Sequence, residues 1–352
     1  MVTIKQISEK LRLSPATVSR ALNGYPEVSA KTRILVEETA RNLNYRPNQL
    51  AKKLATGRSG MIGLVLPPSN DKGFDPTFFD VMTGLSRRLT ELDLDLVFHA
   101  PVFGDDIEPF RRLVGKQAVD GFIVTNPRLS DARIDFLLEE DIPFVVHGRN
   151  ASEQPGFAYF DIDNFRVGYD ATKLLLDLGH RKICFLNGPD DVHFSFERKR
   201  GFEKALADHG SDAASGAVRH GRMSESYGYR EALAALSLPP AQRPTAFVSS
   251  STIIAAGILR AVRDKGLRVP DDVSIVSHDD APPQLDAMGF DPALTVTYSP
   301  LRDACGPLAD ILQGLLNGEN LDKLQITEEA ELIVRQSTGP SPSVDQSKGQ
   351  TA

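Results

Sequence analysis

Apolar positions recur along this chain at two different periods, and the change of period divides it. In TIKQISEKL, residues 3–11, Ile4, Ile7 and Leu11 fall at helical spacing, and Leu13 follows across a short turn. A second helix is predicted just after Ser14, an N-cap type followed by Pro15 at the first helical position; Val18 and Leu22 supply its inner face and Asn23-Gly24 stop it. A third, capped by Ser29, runs AKTRILVEETARNLN with Ile34, Leu35, Ala40 and Leu43 expected inward, and ends before Tyr45-Arg46-Pro47. Three short helices with a tight turn between the first two read as a helix-turn-helix head over residues 1–47. The next stretch, NQLAKKLA, predicts a helix too short to persist alone, within a connecting segment over 48–60.

From Met61 short apolar runs alternate with amphipathic helices. MIGLVLP, LDLVFHA, GFIVTNP and PFVVHGR are separated by FFDVMTGLSRRLTEL, IEPFRRLVGK and ARIDFLLEE; KICFLNGP, AFVSSS and VSIVSHDD follow with FERKRGFEKALADHG, SYGYREALAAL and IIAAGILRAVRDKG between them. Such alternation is the mark of parallel sheets with helices on both faces. Residues 61–338 are more than one hydrophobic core holds, so the expected body is two doubly wound α/β lobes. The polar terminal run PSPSVDQSKGQTA predicts a disordered tail over 339–352.

Charge changes the picture more than composition does. With 41% hydrophobic and 25% charged residues, disordered and fibrous classes are excluded. The N-terminus lacks the apolar core of a signal peptide, and no stretch approaches the ~18 apolar residues of a membrane span, so a cytoplasmic protein with no membrane association is expected. Cys184 and Cys305 are too few for a disulfide framework or a cysteine-rich zinc site, and are read as reduced and structural. The net charge of −7 conceals an asymmetry: residues 1–60 carry eleven Lys or Arg against four Glu, and the other 292 carry 29 basic and 43 acidic side chains. A basic head on an acidic body points to a head that meets a polyanion.

At TVSRALNGYPEVSAKTR, residues 17–33, and YRPNQLAKKLATGRSGMIG, residues 45–63, the chain resembles the lactose/galactose repressor (LacI/GalR) family of bacterial transcription factors. The likeness continues through DIDNFRVGYDATKLLLDLGHRKICFLNGP (161–189), FERKRGFEKAL (196–206), VPDDVSIVSHDD (269–280) and PALTVTYSPL (292–301), and covers roughly residues 2–338. The resemblance implies a homodimer on a pseudo-palindromic double-stranded DNA operator, with a hinge helix over the 48–60 segment. It implies a body like a periplasmic binding protein that dimerises and binds a small-molecule effector of the sugar class, and a repressor of carbohydrate uptake or catabolism genes. Two other readings stay open: a transport-type sugar-binding protein, and a purine- or nucleoside-responsive regulator that needs a corepressor. No cofactor and no metal are expected.

A recognition helix puts its first residues at base edges in the major groove, which places Pro15, Ala16 and Thr17 where sequence is read. Arg20, one turn on, suits bidentate pairing with guanine, or else a phosphate contact. In the resembling family the positions of Pro15, Ala16 and Arg20 touch bases. Ser19, Asn23 and Thr32 are phosphate candidates, and Ser29 is read as a cap. In the hinge, Asn48, Lys52 and Lys53 are further DNA contacts, and Leu54 matches the family's minor-groove wedge, the alternative being simple packing on the body.

The body has no catalytic constellation in its sequence. Seven histidines, at 99, 147, 180, 193, 209, 220 and 278, are scattered, with no His-Glu-x-x-His pair and no phosphate-cradling glycine loop, so an enzyme is not expected. His180 is read as binding carbonyls at a helix C-terminus. The Asp279-Asp280 pair ends a strand, where open α/β sheets bind ligands, and is read as hydrogen-bonding a ligand. By resemblance Arg198 is the ligand-binding arginine and Asp279 the aspartate that holds ligand hydroxyls; one donates and the other accepts, which suits a polyol. Arg149 and Asp163 are further candidates, or an inter-strand ion pair, and Phe78 and Phe79 offer an apolar wall or core. Where the family usually has Asn-Asp after the strand AFVSS, this chain has Ser251-Thr252, and Ser251 is carried as a candidate.

Overall fold

The computed structural model describes residues 2–22, 24–45, 57–66, 76–100, 105–152, 154–210, 217–282 and 284–342. Contacts divide the chain into two compact units, Met1–Ser59 and Gly60–Ala352. The head holds α1 (Ile4–Leu11), α2 (Pro15–Leu22) and α3 (Ala30–Asn42). Each starts on a side-chain cap: Thr3 in a capping box with Gln6, Ser14 accepting from Thr17 N at 3.0 Å, and Ser29 accepting from Thr32 N at 3.2 Å. Ile7, Val18, Ala21, Val28, Val36 and Ala40 form the core between them. Arg33 Nη2 donates to the carbonyls of Gly24 and Tyr25 at 3.1 and 3.0 Å, which pins the loop leaving α2 to α3.

One expectation fails in the head. Ile34 and Leu35 are 57% and 48% exposed, and the inward stripe of α3 is Val36, Thr39 and Ala40 with Leu43 half-buried behind them. Val36, Ala40 and Leu43 keep the spacing of one helix face, and the two residues before Val36 are rotated off it.

The body is two six-stranded sheets, each wrapped by helices. The first contains β1 (Met61–Val65), β2 (Asp95–His99), β3 (Gly121–Thr125), β4 (Phe144–His147), β5 (Ala158–Ile162) and β11 (Gln325–Glu328), in the order β11-β5-β4-β3-β1-β2, with every pair parallel. Its helices are α4 (Pro76–Glu91), α5 (Glu108–Gly115), α6 (Ala132–Glu139) and α11 (Cys305–Leu316); α4 and α11 enclose one core, which includes Leu85, Leu89, Leu308 and Leu312, and α5 and α6 enclose another around Phe110 and Phe122. The second contains β6 (Ile183–Asn187), β7 (Ala217–His220), β8 (Ala246–Ser249), β9 (Ser274–Asp279), β10 (Thr295–Tyr298) and β12 (Glu331–Ile333), in the order β12-β10-β9-β8-β6-β7. Here α7 (Asn164–Asp177) and α8 (His193–Asp208) cover one face and α9 (Glu225–Leu236) and α10 (Thr252–Asp264) the other. The two doubly wound lobes are those expected, except that β12 pairs antiparallel with β10 at an edge.

The chain passes between the lobes three times, after β5, after β10 and after β11. Both cysteines are buried and unpaired, and burial pushes the Cys184 thiol up to about 12 and that of Cys305 to about 11. His180 is fully buried, but its ring reaches Thr245 Oγ1 at 2.9 Å and the carbonyl of Gly339 at 3.1 Å rather than the end of its own helix. Gly339 N also donates to Ser274 Oγ, and Ser341 N to Leu178 O, so the start of the predicted tail is laced to the second lobe. Residues 343–352 lie outside the described ones.

Candidate functional site

In the head, packing of Val18 and Ala21 turns one side of α2 inward and leaves Pro15, Ala16 and Arg20 exposed, with Thr17 and Ser19 half-buried. The Thr17 hydroxyl lies 2.8 Å from that of Ser14, and Thr32 makes the same contact with Ser29. The helix start that would enter a groove is therefore held by its own cap, with its first two side chains free to touch a partner. Asn23, Asn48, Lys52, Lys53 and Leu54 fall outside the described residues.

In the body, a cavity of about 140 Å³ opens at the carboxyl ends of strands from both sheets, where open α/β sheets present their loops to ligands. All three inter-lobe passages contribute to its wall: Ile162 and Asn164 from the first, Ser299, Pro300, Leu301, Asp303 and Ala304 from the second, and Glu328 from the third. A polar chain crosses it. Arg149, following β4, donates through Nε to Asp161 Oδ2 at 2.9 Å; Asp161 Oδ1 accepts from Asn164 Nδ2 at 3.1 Å; Asn164 Oδ1 accepts from Arg198 Nε at 2.8 Å; and Arg198 Nη1 donates to Ser250 O at 2.8 Å. Arg198 also lies over the Phe194 ring, 4.9 Å from its centroid. Residues from the first sheet are thus joined to α8 and the end of β8 through side chains that line one cavity.

Burial governs the charges here. Desolvation lowers the Arg198 guanidinium to about 10, opposed by Asp280 and Asp161. Asp161 is raised by burial, with Arg149 beside it pulling the other way. His147 and His193 are brought down to about 4 and His278 well below its usual value, all chiefly by desolvation, so the three ring systems at the wall are neutral at ordinary pH. Among the described residues no cluster of His, Cys, Asp or Glu has the geometry to hold a metal ion.

The candidates separate on this geometry. Arg149 and Arg198 line the cavity. Asp163, Ser251, Phe78 and Asp279 do not. Asp163 caps α7, accepting from Arg166 N at 2.9 Å, and Ser251 caps α10, accepting from Ile254 N at 3.3 Å. Phe78 packs on the first-lobe core with its ring 5.2 Å from that of Phe98, and the neighbouring Phe79 is 54% exposed. Asp279 Oδ1 accepts from Ala281 N at 2.8 Å, in a turn where Ala281 has φ of 52°. Its neighbours His278 and Asp280 face the cavity, because side chains one apart leave a strand on opposite sides. That alternation was available in the run SHDD. The ion pair of Arg149 is with Asp161, two residues before Asp163 in the same DIDN run, and Asn164 closes it. Both Asp161 and Asn164 escaped sequence reasoning, since an acid beside an N-cap carries no sign of which one turns inward.

Comparisons with known proteins follow the same division. Residues 3–48 match the family described as bacterial regulatory proteins, lacI family, and residues 172–338 match the periplasmic binding protein-like domain. The chain is 41% identical over 342 residues to the HTH-type transcriptional regulator AglR of Rhizobium meliloti, spanning 97% of this chain and 95% of that one. It is 34% identical to the HTH-type transcriptional regulator RafR of Escherichia coli, over 93% of this chain and 95% of the relative. Among solved structures, a complex of the transcriptional regulator CelR with cellobiose superposes with a TM-score of 0.70 at 28% identity, covering 96% of this chain and all of that one. The lac repressor dimer bound to operator and the anti-inducer ONPF superposes with a TM-score of 0.75 at 26% identity, covering 96% and 99%. With a capped reading helix on a basic head, two doubly wound lobes around a polar cleft and relatives matched from end to end, this chain belongs to the lacI family of bacterial regulatory proteins and is a helix-turn-helix transcriptional regulator.

Proposed function

We propose that the protein is a homodimeric repressor of carbohydrate uptake or catabolism genes. It binds a pseudo-palindromic DNA operator in the cytoplasm and is controlled by a sugar in the body cleft. The observation that carries this reading is the Arg149–Asp161–Asn164–Arg198 chain at a cavity walled by all three inter-lobe passages. A ligand seated there touches the segments whose torsions set the lobe arrangement, and so has different contacts in different arrangements. Differential affinity is what lets an effector move an equilibrium, and a coupling of about 1–3 kcal/mol corresponds to roughly 5–150-fold in operator affinity. The cellobiose held by a solved relative and the operator held by another agree with the two ends of the mechanism. In this reading Arg149 and Arg198 are effector contacts, with Asp280 as the acceptor that faces the ligand. The protein is a binder rather than an enzyme, and turnover of a sugar by the purified chain would overturn that part.

The test is operator titration with and without candidate sugars, preceded by a thermal-shift screen. A ligand at about 100 times its Kd adds about 2.7 kcal/mol to the state that binds it. A sugar that stabilises the body and shifts operator affinity is the expected result; no change in operator affinity with any stabilising sugar would defeat the effector reading.

In the head, Arg20→Ala is expected to relax base preference at one position of each half-site by about 1–3 kcal/mol. Lys52→Ala is expected to weaken specific and random DNA alike and to lower the salt slope by about one. Titrations on both DNAs at several salt concentrations separate the two, and equal losses on both DNAs for Arg20→Ala would make it a phosphate contact.

A further inference from the structure

The cleft carries an electrostatic preference that the sugar reading leaves open, and the inference rests on that reading. Among the described residues its wall presents the carboxylates Asp161, Asp280, Asp303 and Glu328 and the guanidiniums Arg149 and Arg198. Arg149 is paired to Asp161 at 2.9 Å, and Arg198 already donates to Asn164 and to the Ser250 carbonyl. His147, His193 and His278 add no positive charge, being held neutral by burial. Asp303 and Glu328 are exposed and stand at two of the three passages into the cleft. Glu197, near His193 and Arg149, is balanced by Arg200, whose Nη1 donates to it at 2.8 Å, and leaves the excess of carboxylates unchanged.

We infer that this cleft selects an uncharged saccharide and discriminates against phosphorylated sugars and uronic acids. A phosphate or carboxylate group binds where several unengaged donors converge, as in a guanidinium fork offered to solvent. Here the described wall holds four carboxylates against two guanidiniums, each of which already donates to an acceptor of the protein, so an anionic ligand meets an excess of like charge in a partly desolvated site. Hydroxyl groups suit the same wall: carboxylates accept from them, and asparagines and the remaining guanidinium N–H groups donate to them. The rings of Phe160 and Phe194 line the same wall, Phe160 nearly buried and Phe194 under the Arg198 guanidinium, so its apolar part is rigidly backed.

Calorimetry on the full-length protein decides, with glucose, galactose, maltose, cellobiose, sucrose and trehalose set against glucose 6-phosphate, trehalose 6-phosphate, glucuronate and galacturonate. The expected result is binding of at least one neutral sugar, with its phosphorylated or uronic counterpart weaker by about tenfold or more. Raising salt from about 0.05 to about 0.5 M should leave the neutral ligand unchanged and narrow the deficit of the anionic one, since salt screens the repulsion. The double variant Asp303→Asn, Glu328→Gln should narrow the same ratio without added salt. An anionic sugar that binds as tightly as its neutral counterpart overturns this inference and leaves the effector reading standing. No binding by any of the ten, together with no effect on operator titration, overturns both.

Discussion

Alanine at Gly168 or at Gly201 is expected to destabilise the body by about 3 kcal/mol, the upper end of what overpacking costs, lowering its Tm by about 5–10 °C. Each glycine lies on one of two helices whose backbones touch. A Cβ at Gly168 would overlap the main-chain carbonyl oxygen of Arg198, and one at Gly201 would overlap that of Phe165. Neither obstacle is the end of a flexible side chain, so relief requires α7 and α8 to move apart. Because the group struck by Gly168→Ala belongs to Arg198, that variant should also pull the guanidinium from Asn164 and Ser250 and weaken effector binding in molecules that remain folded. The double variant should cost less than the two singles together, since one separation relieves both overlaps. Gly228 and Gly257 form a second such contact between α9 and α10, where the groups struck belong to Ile254 and Glu225 rather than to Arg198; a variant there should lower Tm with less effect on ligand affinity in the folded fraction. Thermal melts and ligand calorimetry on the four single variants make the comparison. Wild-type Tm for Gly168→Ala would refute the backbone contact.

Acid should destabilise the body between pH 6.5 and about 4. His193 is brought from 6.5 to about 4 by burial, so in that window the unfolded chain takes up a proton that the folded chain does not. Stability contributed by the neutral ring is therefore complete above pH 6.5 and is lost as pH falls through the window. For one histidine moved that far, the loss is about 3 kcal/mol. His147 shares the window, and His278, packed against Thr297 with its ring 3.1 Å from Oγ1, is lowered further. Asp161 and Asp279, whose carboxyls burial raises, bind protons earlier in the folded state than in the unfolded one and oppose the loss at the acid end. Against a typical total of about 5–15 kcal/mol, the loss from His193 is a substantial fraction of the body's stability. Urea titrations at steps of pH measure the slope, about 1.4 kcal/mol per pH unit for each proton. His193→Gln should remove one proton's share of it, and an unchanged slope in that variant would assign the acid sensitivity elsewhere.

Local chemistry explains how much of this protein could be read from its chain. Ser14 and Ser29 cap helices because a short hydroxyl side chain reaches the backbone N–H groups three residues on, and that geometry involves no distant partner. The alternation of apolar strands and amphipathic helices determined two doubly wound lobes for a similar reason: each helix must bury its stripe against a sheet, and the length exceeds one core. The basic head is a property of composition alone.

Tertiary structure decided what depends on direction. Ile34 and Leu35 sit outward because α1 and α2 define which arc of α3 is inner, and a stripe of four apolar candidates left more than one arc available. Asp163 and Ser251 became caps because the helices begin on them, and Asp161 and Asn164 turned into the cleft instead. The run SHDD held two neighbouring acids on alternate sides, and the place where β9 ends decided that the side carrying His278 and Asp280 is the one at the cavity, with Asp279 drawn into a turn. The strand β12 is reached by a chain passage between lobes, and β11 closes the edge of the first sheet beside β5 only after α11; no periodicity marks either placement. Residue type and spacing thus determined the elements and the family, whereas the membership of the cleft was set by which side of each strand end faces the other lobe, a relation between segments up to about 170 residues apart.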